Sequence, residues 1–143
     1  MKTKVDISDA VSKLGQLQSE IDKGDLQTMI EKAAQPLINA ARSNARRVSS
    51  SVANSIGYIE KNDSKFRRSK LIGPAYPQGA LAHIFEFGTQ PRFKLSNGAR
   101  TGQISPKPFM RPALDSTREI VFSNLEKGII EITEQHAKNL NLT

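Results

Sequence analysis

The chain contains no cysteine and no tryptophan, and its 143 residues include only six phenylalanines and two tyrosines. Without cysteine there is no disulfide framework, no thiolate nucleophile and no cysteine-ligated metal, which suits a reducing cytoplasm. No stretch approaches the roughly 18 consecutive apolar residues that span a bilayer, and residues 1–9 lack the hydrophobic centre of a signal peptide. We therefore expect a soluble, unprocessed protein with one modest core and no membrane partner.

Residue patterns typical of enzymes are scarce as well. No serine lies in a nucleophile elbow, and the glycines form neither a phosphate-binding loop nor a dinucleotide fingerprint. His83 and Glu86 have the spacing that places two groups on one helical face, but a zinc-binding helix needs a second histidine. The other histidine, His136, has no set of partners in the sequence. We expect a protein without enzymatic activity, metal or other cofactor, in which His83 and Glu86 form hydrogen bonds in a packed corner.

Acidic residues are few in the middle of the chain, where positive charge is concentrated. The formal net charge is +7, and residues 42–70 hold eight basic residues against two acidic ones. Residues 92–118 hold six basic residues and one acidic residue, whereas the remainder of the chain is acidic. This distribution indicates a polyanion or an acidic protein as partner, although a solvated basic face fits it equally well. The candidate surface, here called the basic segment, consists of Arg42, Arg46, Arg47, Lys65, Arg67, Arg68 and Lys70.

Hydrophobic periodicity predicts two N-terminal helices. The first begins near Ser8 and ends at Gly24, with Val11, Leu14, Leu17 and Ile21 on one stripe. The second opens at Asp25 and continues past Pro36, where the missing backbone donor predicts a kink. A serine-rich junction at residues 49–51 is expected to lead from these helices into a sheet.

The rest of the chain predicts a small sheet and a long final helix. Residues 55–60 and 69–73 read as two strands of a hairpin around a charged turn, and residues 80–87 as one or two helical turns. Pro112 marks the start of the C-terminal helix. Its expected apolar stripe is Leu114, Val121, Phe122, Leu125, Ile129, Ile132 and Leu140. The prediction is thus one α+β domain, residues 1–143, with a helical part (1–47), sheet and loops (48–111) and a final helix (112–143).

Residues 91–108 form a segment with little apolar content between two prolines. Asn97 and Gly98 make up the strongest short hairpin signal, so the segment is either a protruding two-stranded arm or a long loop. We expect it to be mobile in the free subunit and to become ordered against a neighbour, because it cannot bury enough surface by itself. The basic residues of this candidate assembly loop are Arg92, Lys94, Arg100 and Lys107.

Two motifs flank this segment. Residues 85–89 place one carboxylate between two phenylalanines, before a glycine that is free to adopt a positive φ. Residues 106–114 combine an extended proline-rich approach, a phenylalanine and the proline that starts a helix. We expect Glu86 to be a structural carboxylate held by Arg111 or Arg92. The motif residues are Phe85, Glu86, Phe87, Gly88, Thr89, Pro108, Phe109, Arg111 and Pro112.

The two motifs, in this order, resemble the signature of a bacteriophage tail-component family named after gene product ten of a lambdoid coliphage. The first reads HIFEFGTQPR at residues 83–92, and the second reads PKPFMRPALDS at residues 106–116. Members of the family show Glu-Phe-Gly-Thr after an aromatic or aliphatic residue, then a variable basic loop, then the proline-rich motif that opens the last helix. The length and order of nearly the whole chain also resemble the family, with the N-terminal helices as the least specific part, although the basic turn at residues 61–70 departs from it.

The resemblance implies a structural virion protein at the head–tail junction of a tailed phage. Such a neck or tail-completion protein would form a closed ring with copies of itself, six-fold in preference to twelve-fold. Its other partners would be head-closure or connector proteins and tail-terminator or tail-tube proteins. Part of the basic segment would face the channel and touch the passing DNA without reading its sequence.

A second hypothesis assigns the chain to another class, a small nonspecific DNA-binding protein whose contact surface is the basic segment. It predicts tight binding in free solution with a steep dependence on salt, since each neutralised phosphate releases counterions. A ring subunit predicts weak DNA binding as a monomer.

Overall fold

The computed structural model describes residues 11, 12, 15, 23–59 and 70–139. Within residues 23–59 and 70–139, four helices and four strands follow one another. They are α1 (Lys23–Arg46), α2 (Ser50–Ser55), β1 (Ile56–Ile59), β2 (Leu71–Pro74), α3 (Ala82–Phe87), β3 (Arg92–Phe93), β4 (Arg100–Gly102) and α4 (Met110–Asn139). The mixed architecture of N-terminal helices, two small antiparallel sheets and a long C-terminal helix confirms the predicted α+β class.

The two long helices, α1 and α4, pack side by side in opposite directions. Asn44 near the end of α1 donates a hydrogen bond to the carbonyl of Phe109 at the start of α4 (3.3 Å). At the other end His136 of α4 lies 3.3 Å from the carboxylate of Asp25. Gly128 permits a close approach between these ends, because a Cβ at this position would collide with the side chain of Met29. No sequence pattern indicates that His136 has Asp25 as its partner.

Small residues dominate the core where the helices meet. The buried face of α1 consists of Ala33, Ala34, Ile38, Ala41 and Ala45. Alanines at this helical spacing let the backbone of a second element come close, so the elements pack with little side-chain volume between them. The other buried apolar residues of the described ranges come from α2, β1, α3, α4 and the residue before α4. They are Val52, Ala53, Ile56, Ala82, Phe109 and Ala113.

The serine-rich junction is a helix and not only a connection. The Ser49 hydroxyl accepts a hydrogen bond from the backbone N–H of Val52 (3.4 Å), which caps α2. Burial of Val52 and Ala53 then fixes this short helix against α1. The strand that was predicted to begin at Ser55 therefore begins at Ile56, directly after α2.

The predicted first hairpin is confirmed by the antiparallel pairing of β1 with β2, in which Gly57 faces Gly73 and Tyr58 faces Ile72. Three side chains, described next, tie this hairpin to α1. Arg42 donates from Nε to the carbonyl of Ile56 (2.9 Å), and the Tyr58 hydroxyl donates to the carbonyl of Glu31. Lys70 forms an ion pair with the Glu31 carboxylate (2.7 Å). Burial, followed by the nearby Glu31 carboxylate, raises the pKa of Tyr58.

Several boundaries and faces differ from the sequence prediction. Helix α1 begins at Lys23, so Gly24 lies inside it, and Pro36 lies within α1, where the kink stays a prediction. In the first predicted helix, Val11 is helical and exposed, while Leu14, Leu17 and Ile21 fall outside the described residues. Leu140 and the charged turn at residues 61–68 also fall outside them.

The stripe predicted to bury α4 is wrong for three of its members. Leu114, Phe122 and Ile129 are each about half exposed, whereas Ala113 and Thr117 are buried. The Thr117 hydroxyl donates to the carbonyl of Ala113 (2.8 Å), which satisfies it inside the helix interface. Size explains the error, because α1 presents alanines and accepts the small residues of α4 in preference to the large apolar ones.

Candidate functional site

The carboxylate of Glu86 on α3 caps the first turn of α4. Its Oε2 accepts hydrogen bonds from the backbone N–H groups of Phe109 (2.8 Å) and Met110 (3.1 Å). Its Oε1 accepts one from the backbone N–H of Arg111 (3.2 Å). The first N–H groups of a helix have no partner within it, and they carry partial positive charge, so an anion at this position stabilises the helix start.

The prediction that a guanidinium group holds Glu86 is therefore wrong, because the partners of the carboxylate are backbone N–H groups. Arg111 contributes its backbone N–H, and no ion pair joins the carboxylate to the side chain of Arg111 or Arg92, all three residues being described. The carboxylate accepts three hydrogen bonds from one helix end, whereas a bidentate arginine pair supplies two. Glu86 thus joins two elements that lie 23 to 25 residues apart in sequence.

Gly88 ends α3 in a conformation that favours glycine strongly, with φ 74° and ψ −170°. The space beside it is also closed, because a Cβ would lie 2.7 Å from the carbonyl oxygen of Ile104 and 2.9 Å from the nitrogen of Pro106. Both requirements, backbone and space, come from the close passage of residues 104–106 past the end of α3. Residues 104–106, which lead into the second motif, thus require glycine at position 88 of the first motif.

Thr89 and Ile104 pair at the base of the segment that separates the motifs. The Thr89 N–H donates to the carbonyl of Ile104 (2.9 Å), and the Ile104 N–H donates to the Thr89 hydroxyl (3.0 Å). The N–H of Lys107 donates to the carbonyl of Phe85 (2.7 Å). We call the hydrogen bonds between residues 85–89 and residues 104–111 the clamp.

The clamp is anchored in the core by Phe109, which is 1% exposed. Its carbonyl accepts the hydrogen bond from Asn44, so the clamp is held to α1 as well. Pro108 and Pro112 are exposed on either side of it. Pro112 is in the first turn of α4, where its missing N–H removes no hydrogen bond within the helix.

Beyond the clamp, residues 90–103 form a protruding hairpin, here called the arm. Strands β3 and β4 pair antiparallel with an irregularity at Arg92 and Phe93, and Gly98 takes φ 66° in the turn. The N–H of Lys94 donates to the carbonyl of Ala99 (2.8 Å), and the N–H of Ala99 donates to the Asn97 side chain (3.1 Å). Of the two predicted alternatives, arm or loop, the arm is confirmed; its mobility stays a prediction. Every residue of the arm is exposed.

An apolar groove lies beside the clamp, with a volume of about 710 Å³. Sequence reasoning missed it, although Phe87, which is 79% exposed, stands in the first motif. The groove is lined by residues of α1, the first hairpin and both motifs, among them Leu37, Ile72, Pro74, Phe87 and Leu114. Its polar lining residues are Lys70, His83, Glu86 and Arg111. An exposed aromatic in an apolar groove is typical of a contact surface.

The basic segment is not one free surface. Arg42 and Lys70 are engaged with Ile56 and Glu31 inside the subunit, as described above. Arg46 and Arg47 are exposed at the C-terminal end of α1. The other three members, Lys65, Arg67 and Arg68, lie outside the described residues. The four basic residues of the assembly loop, Arg92, Lys94, Arg100 and Lys107, are all exposed.

Within the part of the chain that the structure describes, no group of three or more histidine, cysteine, aspartate or glutamate side chains could hold a metal ion. His83 is exposed at the groove, and Glu86 already accepts three hydrogen bonds from α4. No helix of the described residues has the length and hydropathy of a membrane span.

Comparison of the chain with protein-family models, with curated proteins and with solved structures found no match. The resemblance to the phage family therefore depends on the two sequence motifs.

Proposed function

We propose that the chain is a structural subunit of a tailed-phage particle, one member of a homo-oligomeric ring at the head–tail junction. The ring would join the head-closure or connector proteins to the tail terminator or tail tube and would surround the DNA channel. The observation that carries the proposal is the clamp, which fixes the base of an exposed arm to a two-helix body. A protein of this kind works by assembly, without catalysis.

The clamp supports the resemblance because it explains the two motifs physically. Glu86 and Gly88 belong to the first motif, and their contacts are to the second motif and its approach. Motif residues that meet in space form one structural unit, which is the base from which the arm leaves the body. The variable basic loop of the family corresponds to the arm, whose ends this unit holds.

A ring needs sides that bind to neighbouring copies, and the exposed apolar residues offer candidates. Large apolar side chains on a subunit surface mark interfaces when they cluster. The most exposed ones in the described residues outside the N-terminal segment include Tyr76, Leu81, Phe87, Phe93 and Leu95. Closed cyclic symmetry satisfies such surfaces without leaving a free end, and we favour six-fold over twelve-fold.

Contact with DNA would be electrostatic and independent of base sequence. The exposed basic side chains of Arg46 and Arg47 and those of the arm belong to a chain with a formal charge of +7. Such charges attract phosphates at long range without contacts to base edges. Transit of DNA through a ring requires weak contacts of this kind.

Disruption of the gene in the genome that encodes it tests the proposal directly. We expect DNA-filled heads and separate tails by electron microscopy, because the junction between them cannot be completed. Expression of the chain from a plasmid should restore joined particles, and antibody labelling should then mark the head–tail junction. Normal particles from the disrupted genome would contradict the proposal.

The alternative, a small nonspecific DNA-binding protein, is favoured by one feature. Arg47 and Lys107 line the same cleft, of about 420 Å³, between the end of α1 and the start of α4. Binding of the monomer to duplex DNA across a range of salt concentrations separates the two functions. A micromolar or tighter affinity that falls steeply with salt would favour the alternative, whereas a ring subunit should bind far more weakly as a monomer.

A further inference from the structure

The arm presents both apolar surface and charge that the subunit leaves uncovered. Phe93 is 60% exposed, and Leu95, near the turn, is fully exposed. Arg92, Lys94 and Arg100 stand on the same short hairpin and are exposed as well. A two-stranded hairpin without a covering element is marginally stable in water. The antiparallel register sets Phe93 opposite Arg100, so an apolar and a cationic side chain lie together on one face of the arm. A surface that is both apolar and acidic would cover that face.

Helix α4 carries such a surface on the side away from its buried residues. Helical spacing places Asp115, Glu119 and Glu126 on one stripe of this helix, and all three are exposed. Phe122, Ile129 and Ile130 lie beside this stripe, each slightly more than half exposed. Ala113 and Thr117 are buried on the other side, where α1 lies. We call these three acidic and three apolar residues the outer face of α4.

We propose that the arm of one copy docks on the outer face of α4 of a second copy. Charge complementarity argues for this occupant, since three exposed cations on the arm would meet a helix face with three exposed carboxylates and one arginine. That arginine is Arg118, whose guanidinium lies over the Phe122 ring, 5.8 Å from its centroid. The apolar residues agree as well, since Phe93 and Leu95 would be covered by Phe122, Ile129 and Ile130. The apolar groove beside the clamp fits the arm less well, because Lys70, His83 and Arg111 are among its lining residues. Its one carboxylate, Glu86, already accepts three hydrogen bonds from the start of α4.

The contact must be between copies. Exposure of all residues from 90 to 103 shows that the arm does not pack on the body of its own subunit. A contact between two different patches is heterologous, so repetition gives a ring if it closes and a filament if it does not. The inference deepens the proposed function and rests on its homo-oligomeric part, for which it supplies the interface.

Charge reversal in two separate variants tests the interface. The arm variant carries Arg92→Glu, Lys94→Glu and Arg100→Glu, and the helix variant carries Asp115→Lys, Glu119→Lys and Glu126→Lys. We expect the purified wild-type chain to form oligomers at low salt and each variant to remain monomeric, by light scattering on a sizing column. Combining all six substitutions should restore oligomers, because the two reversed surfaces again attract each other. Reversal of Lys32, Lys127 and Lys138, which are exposed elsewhere, changes the net charge as much as the arm variant does and should leave the oligomer intact.

A mixture of the two variants gives a result that a merely misfolded protein cannot. Each variant should stay monomeric alone, but the two should form oligomers when mixed. At one contact the intact arm of the helix variant meets the intact helix of the arm variant, and at the next contact the two reversed surfaces meet. Circular dichroism and thermal unfolding of each variant should match the wild type. A wild-type chain that stays monomeric at all concentrations, or oligomers unaffected by both variants, would overturn the inference.

The absence of cysteine permits a second, independent test by disulfide formation. One copy carries Leu95→Cys and the other Ile129→Cys, and their mixed disulfide should form on the order of tenfold faster than in a control pair, because docking raises the effective concentration. The control pairs Leu95→Cys with Ser43→Cys, an exposed site on α1. Equal rates for both pairs would contradict docking on α4. Loss of the arm contact with particles still joined would leave the proposed function standing and this interface wrong.

Discussion

The two small sheets of this chain are built alike but are covered differently. The pair β1–β2 is tied to α1 through Arg42, Tyr58 and Lys70, and Ile56 at its start is buried. The pair β3–β4 is held only where it leaves the clamp, and its residues are exposed. Two strands alone are marginally stable, so the first sheet takes its support from its own subunit. The second sheet has no comparable support within the described part of the subunit, and we propose that a second copy supplies it.

Loss of the clamp, which holds the base of the second sheet, should have the largest effect on the free energy of unfolding. Gly88→Ala should lower the free energy of unfolding by about 2 to 4 kcal/mol, since the positive φ and the closed space both oppose a Cβ. Gly98→Ala is the matched control in the arm, where φ is also positive but no atom lies within 4 Å of the added Cβ, and should cost about 1 kcal/mol. Equal losses in chemical denaturation would show that contact with residues 104–106 does not constrain Gly88.

Removal of the cap on α4 should have the next largest effect. Glu86→Ala leaves three backbone N–H groups without their acceptor, at an expected cost of about 1 to 3 kcal/mol. Arg111→Ala removes a side chain that the cap does not use and should change stability little. The double variant should then equal Glu86→Ala alone. A coupling energy between the two substitutions in denaturant unfolding would contradict this and would support a pairing between the Glu86 carboxylate and the Arg111 guanidinium.

Tyr58 tests the attachment of the first sheet to α1. Tyr58→Phe removes the hydrogen bond to the Glu31 carbonyl and should cost about 1 kcal/mol at neutral pH. The pKa of Tyr58 is raised in the folded protein, so the folded state holds this proton more tightly than the unfolded chain does. Its stabilisation is complete below about pH 10 and is lost as the pH rises through the raised pKa. Thermal unfolding of the Phe variant should therefore show a smaller alkaline loss than the wild type, and identical losses would be inconsistent with this attachment.

The smallest effect on stability is expected in the arm. Leu95→Ser removes a fully exposed apolar side chain, so the free energy of unfolding of the isolated subunit should change by less than about 0.5 kcal/mol. Oligomer formation should weaken in the same variant, because Leu95 is expected to be covered there. A large loss of subunit stability would show that the arm is already packed in the free chain.

The sequence predicted the local features that depend on neighbouring residues and missed those that depend on distant ones. Strand pairing, the short helix at residues 82–87 and the turn at Gly98 follow from local apolar and turn patterns. The capping of α4 by Glu86 joins residues more than 20 positions apart, and no local pattern distinguishes backbone donors from a nearby arginine. The prediction of which face of α4 is buried is wrong for some residues, because the hydrophobic pattern of a sequence is read mainly from large apolar residues. The alanines of α1 pack instead against small residues of α4.

Hydrogen exchange on the free and assembled protein tests the central claim that the arm is completed by another copy. Amides from Lys94 to Gln103 should exchange fast in the free subunit and become protected on assembly, because isolated hairpin hydrogen bonds open at little cost in free energy. Amides of β1, supported within the subunit, should be protected in both states. Equal protection of residues 94–103 in the free and assembled protein would contradict the account and would mean that the arm is a rigid, preformed hairpin.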